Sequence, residues 1–111
     1  LRGAIFETWV VSEILKHRTN RGEPGGMFFY RDQRGVEADL IVETAGGLTV
    51  VEAKAGQTAA ADMFDSARQV TAALGPRRRV NTLVVYGGQT AQTRSDVTLL
   101  SWNAIDEHRW G

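Results

Sequence analysis

The chain has 111 residues, 42% of which are hydrophobic, and its 13 basic and 13 acidic residues give a formal net charge of zero at pH 7. This length predicts one domain, the hydrophobic fraction argues against disorder, and the neutral balance argues against a strong nonspecific nucleic-acid binder while leaving room for a local basic patch. The lack of cysteine excludes disulfides and thiolate metal sites, and no apolar run approaches membrane-spanning length.

The first predicted element is a helix over residues 1–17. Its apolar stripe consists of Phe6, Val10, Ile14 and Leu15. The stretch 18–26 is rich in glycine and polar residues, so a loop is predicted there. Because the chain begins inside this helix, at a leucine, we expect it to be a piece of a longer protein.

An antiparallel meander of three strands is predicted next. The strands run over residues 27–31, from 36 to about 43, and over 48–54, with turns at 32–35 and 46–47. The second strand alternates: Val36, Ala38, Leu40 and Val42 face one way, and Glu37, Asp39, Ile41 and Glu43 the other. The third strand is apolar on both faces at its start, which indicates a central strand.

A second helix, over 58–74, connects this meander to a fourth strand over 80–86. A strand, a crossover helix and a further strand predict a parallel, right-handed unit. A short strand over 97–100 and a helical turn around Ala104 and Ile105 complete the chain. The predicted fold class is α/β, with one mixed sheet flanked by helices in the order α-β-β-β-α-β.

Three ionisable residues lie among aliphatic neighbours on the second and third strands: Asp39, Glu52 and Lys54. Charged side chains are seldom buried unless they are paired or bind a metal. Glu52 and Lys54 share one face of their strand, and Asp39 reaches that face if the register places it opposite. With the carbonyl of Ala53, the two carboxylates would suit Mg²⁺ or Mn²⁺, and Lys54 would position or deprotonate the attacking water. The pattern predicts phosphodiester hydrolysis.

Glu7, early on the first helix, is a fourth candidate that would reach the same metal directly or through water. Each residue also has a structural interpretation. Asp39 could pair with Arg31 on the neighbouring strand, Glu52 and Lys54 could form a solvated pair, and Glu7 could be a helix-surface acid. It is the joint pattern that favours a functional site.

Arginines and tryptophans supply further candidates. Arg77, Arg78 and Arg79 could contact nucleic-acid phosphates, or form a solvated loop. Arg18 and Arg21, in the predicted first loop, could extend this basic rim. The tryptophans are interpreted as core or domain-interface residues rather than base-stacking platforms; they are Trp9, Trp102 and Trp110.

Three segments carry a family resemblance, namely residues 6–16 (FETWVVSEILK), 29–41 (FYRDQRGVEADLI) and 51–55 (VEAKA). Together they resemble the carboxy-terminal domain of unknown function that follows the P-loop domain in many prokaryotic AAA-type ATPases, and the resemblance extends over nearly the whole chain. The chain itself has no G-x-x-x-x-G-K-[ST] motif, so it cannot be the ATP-binding part.

That domain is similar to the PD-(D/E)XK nucleases, which include restriction endonucleases and Holliday-junction resolvases. The resemblance implies a restriction-endonuclease-like sheet, with Asp39 and Glu52 as the two acids, Lys54 as the lysine and Glu7 as the glutamate of resolvase-type members. Ala38 stands where the signature has a proline. The resemblance further implies Mg²⁺ or Mn²⁺ as cofactor, DNA as substrate and an upstream ATPase domain of the same polypeptide as partner. We expect a cytoplasmic location and no membrane partner. The alternative is a non-catalytic interaction or regulatory module of that ATPase.

Overall fold

One mixed sheet of six strands, in the order β1-β2-β3-β4-β6-β5, organises the fold. The computed structural model describes residues 2–23, 25–57, 64–74, 79–90, 92–94 and 97–110. The strands are β1 (Met27–Arg31), β2 (Glu37–Thr44), β3 (Gly47–Lys54), β4 (Val80–Tyr86), β5 (Gln92–Arg94) and β6 (Val97–Ser101). The helices are α1 (Arg2–Asn20), α2 (Asp65–Leu74) and a 3₁₀ helix (Trp102–Glu107). The predicted α/β class is confirmed.

The three-strand meander and the parallel crossover are confirmed. β2 pairs antiparallel with β1 and β3, and β3 pairs in parallel with β4. β3 is the central strand of this half of the sheet, because its side chains are buried except at the two ends. Sequence patterning missed β5, which pairs antiparallel with β6 and forms the sheet edge. Three residues within a polar stretch carry too little hydrophobic periodicity to predict a strand.

Helix α1 covers one face of the sheet. Val10 and Ile14 are buried against a core to which β2, β3 and β4 each contribute aliphatic side chains. The prediction was wrong for Leu15, which is 44% exposed, because the buried stripe follows Val10 and Ile14 at a spacing of four residues. None of the described helices is long and apolar enough to cross a lipid bilayer.

Helix α2 covers the opposite face. Ala67 and Val70 are buried, and Thr71 Oγ1 lies 2.6 Å from Thr82 Oγ1 of β4. The helix begins at Asp65 in the structure. Residues 58–63, where the sequence places its first turns, lie outside the described residues.

Arg18 corrects the prediction of a basic rim in the first loop. Helix α1 continues to Asn20, so Arg18 is helical, and its side chain is buried at 5% exposure. The guanidinium donates hydrogen bonds to the carbonyl of Trp110 and, at 2.7 Å, to that of Gly25. Arg18 therefore ties the end of α1 to the loop before β1 and to the distant segment at Trp110, whereas Arg21 remains exposed in the following turn.

Candidate functional site

The candidate acids lie where β2 and β3 stop pairing. The backbone ladder between these strands ends at the pair Leu40–Val51. Beyond this last pair, the Ala53 N–H donates to the Asp39 carboxylate, with 2.7 Å between the nitrogen and Oδ2. The N–H and C=O of one strand residue point to the same side, so the Ala53 carbonyl also points toward β2. A side chain thus replaces the backbone partner at this position.

A register shift in β2 explains why Asp39 is turned in this direction. Phe28 pairs with Ile41 and Tyr30 with Ala38, so two residues of β2, Asp39 and Leu40, lie opposite one residue of β1. This is the geometry of a β-bulge, which re-aims a side chain and interrupts alternation. The predicted alternation is therefore wrong for Ala38, which packs with Ile41 on the α2 face rather than with Leu40 on the α1 face.

Glu7 meets Asp39 from helix α1. The two acids line a small cleft of about 180 Å³, together with Phe29, which is 76% exposed. A hydrogen bond to the Asp39 carboxylate, together with partial burial and the charge of Asp39, raises the pKa of Glu7 to about 7. Near neutral pH Glu7 is therefore partly protonated and can donate a hydrogen bond to the Asp39 carboxylate.

Glu52 is buried at the same strand end, with 4% exposure. Burial and then the charge of Asp39 raise the pKa of Glu52 to about 8, against the opposing influence of the Lys54 ammonium. Its Oε1 atom has no hydrogen-bond partner in the part of the chain that the structure describes. A charged, unsatisfied Glu52 oxygen beside a second acid would be costly, so the group either keeps its proton or binds a cation.

Lys54 lies two residues beyond Glu52 on the same face of β3, and it lowers the pKa of both Glu52 and Glu7 through its charge. It forms no ion pair with another described residue. Arg31, which could have formed an ion pair with Asp39, pairs with Glu37 instead, with Nη2 2.9 Å from Oε2. Asp39 is therefore directed toward the other acids and the backbone of β3.

The oxygen donors of Asp39, Glu52 and Ala53 would suit a hard divalent cation that takes few ligands from the protein and keeps several waters. Within the described residues, no three His, Cys, Asp or Glu side chains are arranged to hold a metal. Two carboxylates, Asp39 and Glu52, and the carbonyl of Ala53 nevertheless meet the pattern of Mg²⁺ sites, which use one or two carboxylates and leave other positions to water and phosphate. The orphaned Glu52 oxygen is the observation that fits such an ion.

The remaining predicted contacts lie elsewhere. Arg79 is exposed at the start of β4, while Arg77 and Arg78 lie outside the described residues. Sequence reasoning missed Phe29 as a lining residue of the acidic cleft. Its aromatic run predicted a strand, and only the pairing of β1 with the bulge in β2 places this ring beside Asp39.

The chain matches the model of one domain family over most of its length. A family model described as "Domain of unknown function (DUF4143)" matches residues 2–105. The chain belongs to this family. No curated protein and no solved structure matches it. The matched segment of this DUF4143 domain contains all four candidate residues: Glu7, Asp39, Glu52 and Lys54.

Proposed function

We propose that this DUF4143 domain is a metal-dependent nuclease with a PD-(D/E)XK, restriction-endonuclease-like core that hydrolyses DNA phosphodiester bonds. The observation that carries the proposal is the convergence of Glu7, Asp39 and Glu52 at the point where β2 and β3 separate, with an unsatisfied buried oxygen on Glu52. The element order α-β-β-β-α-β supports it, since that is the order of the nuclease core.

In this proposal Asp39, Glu52 and the Ala53 carbonyl would hold a Mg²⁺ or Mn²⁺ ion. When bound, the ion supplies Lewis-acid chemistry, neutralising charge on the phosphate and lowering the pKa of water. The bond from the Ala53 N–H fixes one Asp39 oxygen and so orients the carboxylate. Loss of the proton from Glu52 prepares it as a ligand, because metal ligands must be deprotonated.

Lys54 and Glu7 complete the proposed site. The ammonium of Lys54 orients the attacking water and stabilises the negative charge that develops on the pentavalent phosphorus. Protonated Glu7 donates a hydrogen bond to Asp39 and so holds that carboxylate against α1. The water oxygen forms a new P–O bond and loses its proton to solvent, the P–O bond to the leaving oxygen breaks, and that oxygen takes a proton from solvent.

A cleavage assay tests the proposal. The protein is incubated with supercoiled plasmid and with branched DNA, in Mg²⁺, in Mn²⁺ and in EDTA. We expect cleavage with either metal, none in EDTA, and a loss of at least about 100-fold for Lys54→Gln, because one charge that stabilises the transition state is removed. Lys16→Gln is the matched control, because Lys16 is an exposed lysine of α1 paired with Glu13.

Absence of cleavage on both substrates, together with absence of Mn²⁺ binding, would defeat the nuclease proposal. Cleavage that Lys54→Gln and Lys16→Gln reduce equally would also contradict it, since the activity would then come from elsewhere.

A second candidate is a non-catalytic module that docks on an upstream AAA-type ATPase domain. It is favoured by the apolar side chains that α1 and the 3₁₀ helix leave in solvent, of which Ile5 is 64% exposed. In this case Asp39→Ala and Lys54→Ala would leave the ATPase rate of the parent protein unchanged, while Ile5→Asp would alter it. An unchanged ATPase rate in Ile5→Asp would contradict this second candidate.

A further inference from the structure

Three adjoining depressions lie along α1 between the candidate acids and an aromatic cavity. The cleft beside Glu7 and Asp39 shares Thr8 with a shallow depression on the exposed face of the helix. That depression shares Ile5 and Trp9 with a larger cavity of about 780 Å³. The acidic cleft and the cavity therefore lie on either side of the exposed face of α1, roughly one helix width, about 10 Å, apart.

The cavity combines aromatic walls with amide groups. Phe6, Trp9 and Trp102 contribute the rings, and Trp9 meets Trp102 edge to face with 5.9 Å between ring centroids. Both indoles remain partly exposed, at 37% and 38%. Gln57 and Gln89 line the same cavity and supply hydrogen-bond donors and acceptors. The lining therefore offers stacking surfaces and polar edges together.

Backbone hydrogen bonds hold the floor of the cavity. The Gly87 N–H donates to the carbonyls of Lys54, at 3.0 Å, and Gly56, at 2.9 Å, which joins the loop after β4 to the loop after β3. Ser101 Oγ donates to the Gly88 carbonyl at 2.6 Å. The cavity is thus preformed, and one of its anchoring points is the candidate catalytic lysine itself.

We propose that this cavity receives an unpaired nucleobase, so that the preferred substrate is single-stranded or locally unpaired DNA with a phosphodiester at Asp39. This inference rests on the proposed nuclease function. An unpaired base exposes flat faces that stack on aromatic rings and edges that bond to amides, whereas a duplex hides both. A distance of about 10 Å corresponds to about three stacked nucleotide steps, so one strand is long enough to reach from the acidic cleft to the aromatic cavity.

The mixed lining favours a base over an apolar protein segment. Such a segment would cover the amides of Gln57 and Gln89 without offering them partners, and covering a polar group in this way is unfavourable. A base brings its own donors and acceptors, and its attached phosphate extends toward the acidic cleft.

Binding in EDTA tests the inference separately from cleavage. Fluorescein-labelled oligothymidylate of about 15 nucleotides and a duplex of equal length are titrated against the wild type, Trp102→Ala, Trp102→Phe and Leu15→Ala. Leu15 is the control because it is an exposed apolar residue of α1 outside the cavity. We expect the wild type to prefer the single strand, Trp102→Ala to bind it about 10-fold more weakly, and the other two to resemble the wild type.

Equal affinity for the single strand and the duplex would overturn the inference. Unchanged affinity of Trp102→Ala for the oligonucleotide would overturn it as well. Either result holds whether or not the protein cleaves DNA. The latter is also the outcome expected if a protein segment occupies the cavity. If Trp102→Ala does weaken oligonucleotide binding but no metal supports cleavage, the base site stands and the nuclease proposal fails. Quenching of tryptophan fluorescence by unlabelled oligothymidylate gives a second readout on the wild-type protein, and its absence counts against the inference.

Discussion

Arg18 and Glu52 are both almost fully buried, yet their surroundings differ. Arg18, near the end of α1, donates to two backbone carbonyls, those of Trp110 and Gly25. Glu52, at the end of β3, faces another acid, Asp39. Each side chain keeps one buried atom without a described partner, Nε in Arg18 and Oε1 in Glu52. Two carbonyl dipoles stabilise the positive charge of Arg18, whereas the negative charge of Asp39 disfavours ionisation of Glu52.

The comparison separates a structural charge from a candidate functional one. Burial alone does not distinguish them, since both side chains are about equally inaccessible. What differs is the sign of the neighbours, and a cluster that is unfavourable in the isolated protein is one that a cation would stabilise. Removal of the Arg18 charge should therefore lower the stability of the fold, whereas removal of the Glu52 carboxylate should raise it at pH 8.

The largest expected effect is on stability, at Arg18. Arg18→Met keeps most of the side-chain volume but leaves the Trp110 and Gly25 carbonyls without their donor, so we expect a loss of roughly 3 kcal/mol in the free energy of unfolding. Urea denaturation measures it. Arg21→Met, at an exposed arginine, should change stability by less than about 0.5 kcal/mol. Equal stability of the two variants would remove the structural role assigned to Arg18.

If the domain is the proposed nuclease, Asp39→Asn should lower the rate of DNA cleavage by at least about 100-fold, because it removes a charge that would hold the metal. The asparagine oxygen can still accept from the Ala53 N–H, so the fold should survive, as circular dichroism would show. Glu43→Gln is the control, since Glu43 is an exposed acid on the same strand. If the two variants cleave equally well, Asp39 is not part of the site.

Glu52 should make the metal-free protein less stable as pH rises. Its pKa is about 8 in the folded protein and 4.5 ordinarily, so the folded state binds more protons between these values. The stabilising contribution is present below pH 4.5 and is lost as pH increases through 8. Glu52→Gln should therefore be more stable than the wild type at pH 8, on the order of 2 kcal/mol, and close to it at pH 5.

This difference is measured by thermal denaturation in EDTA at both pH values, with Glu43→Gln as the matched exposed acid. A wild-type stability that does not fall between pH 5 and pH 8 would show that Glu52 is not held protonated by its surroundings.

The smallest expected effect is that of Glu7→Gln, with a loss of about 10-fold in cleavage. Glutamine can still donate a hydrogen bond to Asp39, so the contact is retained while the titrating proton is lost. The pH–rate profile should lose an inflection near 7, where the pKa of Glu7 lies. An unchanged profile would place Glu7 outside the reaction.

Local patterns predicted much of this architecture. The turn at 32–35 follows from residues that contact one another: the Asp32 side chain accepts from the Arg34 and Val36 N–H groups, and Gly35 has φ of +84°. The short turn between β2 and β3 likewise fixes their register and brings Asp39 level with Glu52, although the bulge sets the direction of the Asp39 side chain.

What the sequence could not predict depends on distant partners. The bulge at Asp39 and Leu40 is a property of the pairing with β1, and nothing in the local alternation indicates it. Arg18 is buried because Trp110, 92 residues away, presents a carbonyl to it. In both cases a tertiary contact overrides a local pattern that predicts a different environment.

Calorimetric titration with Mn²⁺ tests most directly whether the opposed carboxylates form a cation site. The account predicts one binding event that is stronger at pH 8 than at pH 6 and that releases protons, because the ligands must lose them. It should disappear in Asp39→Asn and Glu52→Gln and persist in Glu43→Gln. No Mn²⁺ binding at either pH, or binding that survives both substitutions, would contradict the account.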